Sequence, residues 1–488
     1  MRRLIALTAA AGLIAGTFLG AVAPANAVTP GPGVLDPAFN IGTGFGQDVE
    51  RVIALPSGKV LVAGAFITYQ GAAHPGLVRL NANGTVDPTF ISDPINAPVY
   101  DIEIQSDGKI IVAGQFTSSG SAPRAKVLRL EANGALDSTF NNVGSGLNGI
   151  VNDASIDSLG RIVVGGYFTS YNSVARAGIA RLTATGALDT SFVVGAGVAG
   201  SGQIVETVMA HPTTGDVWFG GQFLTYGGTT RNGFARTNSV GTLQATPSLP
   251  DPKYIYTINS DPTGRVMYSA NAGVLARRLA NGDPDPSFAI SPGDIPTYTF
   301  DMAFQPDGKI IAVGLHYGTT TGGIVTRFTA NGAIDSTFSN GQRSGVKSII
   351  AVSIGVNNSV YLGGRFLEFD GLERKHLVRV FAATPTPIPP PIVRKNPGKV
   401  RNIKFAFKKA KAIAKWTKPS NDGGAVVTRY QFRVTKANGK KFGKWITVKK
   451  PSATITKRRK GATYRIQIRA KNFVGYGAPV TKKFRQRR

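Results

Sequence analysis

Hydrophobic positions in this chain come in short runs, and the runs repeat. Pro56–Phe66 reads PSGKVLVAGAF, Ser106–Phe116 reads SDGKIIVAGQF and Pro306–Gly314 reads PDGKIIAVG. Aligned on the turn that opens each run, seven copies begin at Gly58-Lys59, Gly108-Lys109, Gly160-Arg161, Gly215-Asp216, Gly264-Arg265, Gly308-Lys309 and, most degenerate, Asn357-Asn358, spaced by 44 to 55 residues. About 20 residues later an alternating segment carries an arginine: Arg79, Arg129, Arg181, Arg236, Arg278, Arg327 and Arg379. An Asn-Gly type of turn follows, then an Asp-x-x-Phe piece ending at Phe90, Phe140, Phe192, Phe288 or Phe338, with one more at Phe39.

Each copy predicts four short strands. They are an apolar segment before the Asp-Gly turn, the run after it, the arginine strand, and the Asp-x-x-Phe piece. Asp-Gly and Asn-Gly pairs suit tight hairpins because they tolerate positive φ. Four strands per copy, seven times over, predict an all-β, seven-bladed β-propeller over residues 28–382. The seventh copy has no Asp-x-x-Phe after Arg379, whereas Leu35–Phe39 supplies one with no hairpin before it. The N-terminal segment is therefore expected beside Val378–Phe381, completing the last blade and leaving no open sheet edge.

The words LDSTF, QPDGKIIAVG and RFTANGAIDSTF resemble the delta-60 repeat family, small β-propeller repeats of secreted bacterial proteins. The resemblance covers roughly residues 34–382. It implies a propeller scaffold with no established catalytic residues to carry over. One unit departs from the pattern: TNSVGTLQATPSL after Arg236 holds no Asp-x-x-Phe.

The ends of the chain differ in kind from this body. Residues 1–27 combine Arg2 and Arg3, an apolar stretch and Ala25-Asn26-Ala27, the order of a signal peptide cleaved before Val28. An uncleaved anchor is the rival reading, because Leu4–Ala23 is nearly long enough to span a bilayer. No later segment is expected to cross a membrane. Residues 383–395 contain TPTPIPPPIV, a proline-rich spacer. From Asn396 onward strands alternate again, with Trp416 and Pro419, NDGG before a strand with Tyr430, the Tyr-x-Ile-x-Ile-x-Ala strand from Tyr464, and Asn472 before GYG. These residues resemble a fibronectin type III β-sandwich over 396–488, with Tyr464 at its tyrosine-corner position.

Charge separates the two parts. From Arg394 to Arg488 there are 30 Lys and Arg against one acid, Asp422, so the rest of the chain balances 26 bases with 26 acids. The whole net charge of +29 sits in the tail. Alternation turns Tyr430, Phe432, Val434, Tyr464, Ile466, Ile468 and Ala470 inward and sets Arg429, Arg433, Arg465 and Arg469 on one outer face. With Lys457, Arg458, Arg459 and Lys460 they form a candidate polyanion-binding surface. The partners this suggests are an anionic cell-wall polymer, an acidic glycan or another polyanion, with another surface protein as a further possibility.

Chemistry is sparse. With no cysteine, neither a disulfide nor a thiolate metal site can form. The histidines His74, His211, His316 and His376 fall at unrelated repeat positions and form no metal-spaced pair. No cofactor, metal or catalytic residue is assigned. Asp36, Asp87, Asp137, Asp189, Asp285 and Asp335 recur in the Asp-x-x-Phe piece. They are expected to cap that turn or pair with the arginine eight residues earlier. A second recurrence is less plainly structural. In five units the loop before the arginine has one length and carries a base at His74, Arg124, Arg176, Arg231 or Arg374. In four of them an aromatic residue precedes it at Tyr69, Tyr171, Tyr226 or Phe369. These nine residues read either as local packing or as a broken ring that takes an anionic sugar or peptide. The expectation is an exported, non-enzymatic binding or adhesion protein of a bacterial surface or its surroundings. A propeller glycosidase or lyase and a structural matrix protein are the alternatives.

Overall fold

The computed structural model describes residues 31–140, 145–245, 249, 253–290, 295–317, 322–343, 345–356, 359–382, 395–408, 411–423, 426–439, 441–456 and 459–486. The expected signal sequence, the spacer up to residue 394, the Asn357-Asn358 turn, Lys457 and Arg458 lie outside them. The regular elements are strands throughout. No helix among the described residues is long and apolar enough to cross a membrane.

The repeated runs form antiparallel sheets because each Asp-Gly turn folds one run back on the segment before it. In the first sheet Val49–Ala54 pairs with Val60–Gly64, which pairs with Leu77–Leu80. Among the described residues seven such sheets follow one another between Val49 and Phe381. The middle strand of each has a buried, largely apolar stretch, and it is buried from end to end in Val60–Gly64 and Ile110–Gly114. The cores lie between neighbouring sheets: Val49, Val52 and Val62 of the first pack with Ala351, Tyr361 and Leu377 of the seventh. Apposition of first and last sheets closes the row into a wheel, a β-propeller, whose innermost strands surround a central space.

One three-residue lock recurs around this wheel. Arg79 Nε donates to Asp87 Oδ2 at 2.6 Å, its guanidinium lies 4.7 Å from the centre of the Phe90 ring, and its Nη1 donates to Ala132 O of the next blade. Arg129, with Asp137 and Phe140, reaches Ala184 O in the same way. Arg181, with Asp189 and Phe192, reaches Ser239 O. Arg327 makes the same set with Asp335, Phe338 and Ala382 O, and Arg379 with Asp36, Phe39 and Ala82 O of the first blade. Each aspartate also caps its own turn, Asp87 Oδ1 accepting from Thr89 N at 3.1 Å. Both roles anticipated for the aspartate are therefore filled at once. The chain closes where the sequence suggested: Leu35 bridges Val380, and Asp36 N donates to Arg379 O at 2.8 Å.

Three expectations need correcting. The fourth strand is reduced in most blades to a single bridge, such as Leu80 to Val86, because the aspartate bends the segment into a turn that places the phenylalanine under the arginine. In the fifth blade the lock uses Arg277, not Arg278. Arg277 pairs with Asp285 at 2.8 Å, while Arg278 stacks on Phe234 and Tyr268. The unit without Asp-x-x-Phe keeps the lock by other means: Arg236 pairs with Asp216 and lies over Trp218, both from the middle-strand hairpin.

The C-terminal segment folds as two sheets face to face. One holds Arg401–Lys408, Lys411–Thr417 and Ser452–Ile455, and the other Ile446–Val448, Arg429–Lys436, Thr463–Lys471 and Val480–Arg485. Trp416, Tyr430, Phe432, Tyr464, Ile466, Ile468 and Phe484 fill the space between. The Tyr464 hydroxyl accepts from Arg459 N at 2.9 Å, holding the chain corner that precedes its strand.

Candidate functional site

The innermost strands carry a β-bulge at one recurrent level. Pairing skips a residue between Val49 and Arg51, Val99 and Asp101, Val151 and Asp153, Val205 and Thr207, Ile255 and Thr257, Thr299 and Asp301, and Ile349 and Ala351. Opposite the bulge stands a glycine of the middle strand in six blades and Ala270 in the fifth, and where it is glycine the neighbouring backbone lies too close for a side chain. A Cβ on Gly64 would meet Asp48 O at 2.2 Å, and one on Gly166 would meet Ile150 O at 2.1 Å. A bulge breaks the alternation of a strand and re-aims its extra side chain. The extra residues Glu50, Tyr100, Asn152, Glu206, Tyr256, Phe300 and Ile350 all line a central cavity of about 530 Å³. Residues just after the bulge tie the wheel together around this cavity. Asp101 accepts from Ala154 N, Asp153 from Val208 N, Thr207 from Ile258 N and Asp301 from Val352 N.

The cavity is strongly acidic. Glu50, Asp101, Glu103, Asp153, Glu206 and Asp301 line it, against Arg51 and Arg365. Arg51 stands among the deeper acids, 2.9 Å from Asp101, 3.4 Å from Glu103 and 3.7 Å from Asp301. Burial alone would weaken its charge, but Asp101, Asp301, Glu103 and Asp153 outweigh that and hold it firmly protonated. Burial also raises the carboxyls of Asp101, Asp153 and Asp301 despite Arg51, and pushes Glu103 up to about 7. Glu103 lies deep in the wheel yet keeps 29% of its side chain open to the cavity.

A second zone is aromatic. Tyr254 and Tyr256 stack with ring centres 4.6 Å apart, and Tyr256 meets Tyr298 and Phe300 edge-on at 5.6 Å each. The Tyr254 hydroxyl and Asn152 Nδ2 each donate to Glu206 Oε2 at 3.1 Å. Burial raises the Glu206 carboxyl against that hydrogen bond, and burial, Tyr298 and Glu206 push the Tyr256 hydroxyl up to about 12. Glu50 is raised by burial too, although Arg365 lies 3.5 Å away. Sequence reasoning missed this site. Period-two alternation assigns Glu50 and Arg51 to opposite faces, whereas the bulge lets both line the cavity.

None of the nine residues proposed as a ring from the five equal loops lines this cavity. Each such loop is a small hairpin, such as Thr68–Tyr69 with Ala72–Ala73. Its aromatic residue points into the fold, so Tyr69, Tyr171, Tyr226 and Phe369 are buried and cannot act as surface platforms. The Tyr69, Tyr171 and Tyr226 hydroxyls donate to Gly84 O, Gly186 O and Gly241 O of the Asn-Gly type turns, acting as struts. Arg124, Arg176, Arg231 and Arg374 are half-buried, and each donates Nη1 to the carbonyl of the residue before it. His74 is half-buried, and burial lowers its pKa. Packing thus accounts for the repeated spacing of the aromatic residues.

On the C-terminal sandwich the predicted arginines do share one face. Arg433 and Arg469 lie on the paired strands Arg429–Lys436 and Thr463–Lys471, with Arg465 opposite Thr435 and Arg429 opposite Lys471. Three of them interleave with rings that were not anticipated. Arg465 lies 5.3 Å from the Phe442 ring centre, and Arg433 lies 5.1 Å from Phe442 and 4.4 Å from Trp445. Arg469 lies 4.1 Å from both Trp445 and Tyr476. Gln467 and Gln431 anchor Arg433 and Arg469 at 2.8 Å and 2.7 Å. Arg459 and Lys460 are exposed.

Known proteins bear on the repeats. Residues 55–90, 105–140, 160–192, 217–246 and 305–338 match a family model described as "Domain of unknown function (DUF5122) beta-propeller". The repeats are propeller repeats. Solved structures similar to part of the chain include the twitchin kinase region from C. elegans, at 25% identity over 19% of this chain and 17% of that one, TM-score 0.18. The rat CD45 extracellular region d3–d4 matches at 17% identity over 19% and 51%, TM-score 0.18. A human fibronectin type III domain matches at 18% identity over 19% and 81%, TM-score 0.18. The chain thus spans 17% of the twitchin region and about half of the CD45 region.

Proposed function

We propose that this chain is an exported, non-enzymatic binding protein. Its propeller presents a ligand site, and its C-terminal sandwich, a fibronectin type III domain, attaches it to anionic polymers of the cell envelope. The observation that carries the reading is the ladder of Arg465, Arg433 and Arg469 between Phe442, Trp445 and Tyr476, in a segment with 30 bases and one acid. Stacking holds the guanidinium planes in fixed order, with Arg433 Nε on Gln467, Arg469 Nε and Nη2 on Gln431 and Arg465 Nη2 on Gly439 O, so the other Nη groups are the donors offered to phosphate or carboxylate. Three strands against four, with the Tyr464 hydroxyl holding its corner, support the fibronectin type III assignment.

The test is binding of the full chain to immobilised polyphosphate and to a polyuronate in rising NaCl. Each phosphate contact releases counterions, so the logarithm of affinity should fall linearly with log salt. Arg433→Gln with Arg469→Gln should lower the slope by about two. Binding indifferent to salt refutes the attachment. A hydrolytic second reading draws on Glu206, a raised carboxyl beside the aromatic wall, and on Glu50, a raised carboxyl elsewhere on the cavity lining. It requires turnover of a glycoside that Glu206→Gln abolishes.

A further inference from the structure

The cavity at the hub is built for a charge opposite to the one the tail seeks. Six carboxylates line it against two guanidiniums, and both guanidiniums are committed. Arg51 stands among Asp101, Glu103 and Asp301, and Arg365 is held by Asp48 and Glu50 at 3.0 and 3.5 Å. Glu206 is different. Its partners are neutral, the Tyr254 hydroxyl and the Asn152 amide, and it has no cationic partner among the described residues. Asp101, with 3% of its side chain exposed, leaves Oδ1 without a hydrogen bond, in charge contact alone with Arg51.

Beside Glu206 lies the aromatic wall of Tyr254, Tyr256, Tyr298 and Phe300, half-buried and lining or flanking the opening. An uncompensated carboxylate next to stacked electron-rich rings is what an ammonium or guanidinium group recognises. The carboxylate supplies charge, and ring faces replace the water the cation loses. A neutral sugar would use the rings and donate hydroxyl hydrogen bonds to the carboxylates but would leave their charge uncompensated, and an anion would be repelled by them.

We propose that the propeller hub is a binding site for a small organic cation, an amine or guanidinium group on a free molecule or an exposed side chain, seated between Glu206 and the Tyr254–Tyr256 stack. The inference deepens the reading of the propeller as a ligand-binding domain. It does not depend on polyanion attachment, which concerns opposite charge on another part of the chain, so either can fail alone.

The experiment is calorimetric titration of the full chain with the Nα-acetylated amides of arginine and lysine, whose one charge is the side chain's, and with the Nα-acetylated amides of citrulline and norleucine as uncharged isosteres. The cations should bind at least about tenfold more tightly than their isosteres. Glu206→Gln keeps an acceptor for Tyr254 and removes only the charge, and it should weaken binding by about tenfold. Tyr256→Ala should do the same, and Tyr256→Phe should restore it. Three results overturn the proposal: equal binding of arginine and citrulline amides, no binding of either cation by a chain with wild-type thermal unfolding, or unchanged affinity in Glu206→Gln. Titration with glucose and N-acetylglucosamine supplies a fourth, since saccharide binding that needs Tyr256 but not Glu206 makes the hub a sugar site.

Discussion

Replacing Asp36 by alanine should open the wheel. Asp36 Oδ2 accepts from Arg379 Nε and Nη2, both at 2.7 Å, across 343 residues of sequence. Its Oδ1 caps Ala38 N at 2.9 Å. The two side chains are each 10% exposed, so the pair is largely desolvated. Removing one partner of a buried pair costs about 3–5 kcal/mol because the other charge is stranded. Arg379 keeps Ala82 O at 2.5 Å, Tyr361 Oη at 3.2 Å and the Phe39 ring, which favours the lower end. Losing the turn cap adds about 1 kcal/mol, for a total near 4 kcal/mol.

The location of the damage is the sharper test. Asp137→Ala strips the same lock from the second blade, where Arg129 is only eight residues away and the chain stays in place. At the closure the segment is held by Asp36, by Gly33 N to Phe381 O at 2.6 Å and by Phe381 N to Val34 O at 3.0 Å. Hydrogen exchange of the full chain should therefore speed up in both the first and seventh blades of Asp36→Ala, and only locally in Asp137→Ala. Adding Arg379→Met to Asp36→Ala should cost at least about 2 kcal/mol less than the sum of the single changes in urea unfolding. A cost under about 1 kcal/mol for Asp36→Ala, or exchange confined to its own segment, refutes the closure as the wheel's latch.

Other perturbations separate hub from rim. The raised hub carboxyls stabilise the fold when protonated, so that stability is present below their unfolded pKa and lost as pH rises through the folded value. For Glu103 the window is 4.5 to about 7. Thermal unfolding should accordingly occur at higher temperature near pH 5 than near pH 8, and Glu103→Gln should flatten the difference. At the rim the sign reverses. Burial works to raise Asp335, but Thr337, Arg327 and Lys309 outweigh it and hold it at about 2, so its contribution is lost only as the medium becomes strongly acidic. Gly166→Ala should destabilise by about 2–4 kcal/mol in urea, since its Cβ has no room beside Ile150 O. Tyr171→Phe should cost about 1–2 kcal/mol by leaving Gly186 O without its hydroxyl donor, with no effect on cation binding at the hub.

What could be read from the sequence was what repeats. The arginine and the aspartate eight residues later recur together, and a constant spacing between opposite charges is a contact written in one dimension. The strand carrying Arg429 and Arg433 was placed beside that of Arg465 and Arg469 for a similar reason, since both alternate cleanly. Reading failed where geometry breaks the period. Glu50 and Glu206 sit on bulges, so alternation gives them no direction. Tyr69 and Tyr171 recur at one place in their loops with Tyr226, but recurrence alone cannot separate a ligand ring from a strut whose partner turn is 15 residues away. Phe442 and Tyr476 lie outside the regular strands that carry the arginines they separate, and no strand pattern brings them together.

The unit through Arg236 shows which features the wheel requires. It has no Asp-x-x-Phe, yet Asp216 and Trp218 restore a carboxylate and a ring to the same arginine from the other side. Its Gly221 still makes room for a bulge, with Ile204 O at 2.2 Å from where a Cβ would stand, and that bulge delivers Glu206. Lock and glycine are thus retained even where the words that usually encode the lock are gone. The bulge residue itself differs in nearly every blade: Glu50, Tyr100, Asn152, Glu206, Tyr256, Phe300, Ile350. Packing alone would favour one residue type at seven equivalent positions, as it does for the buried phenylalanines of the lock. Variation at positions that the scaffold aims into the cavity, beside constancy in the lock, is what a binding site built on a repeat produces, with the blades contributing unlike groups to one asymmetric hub.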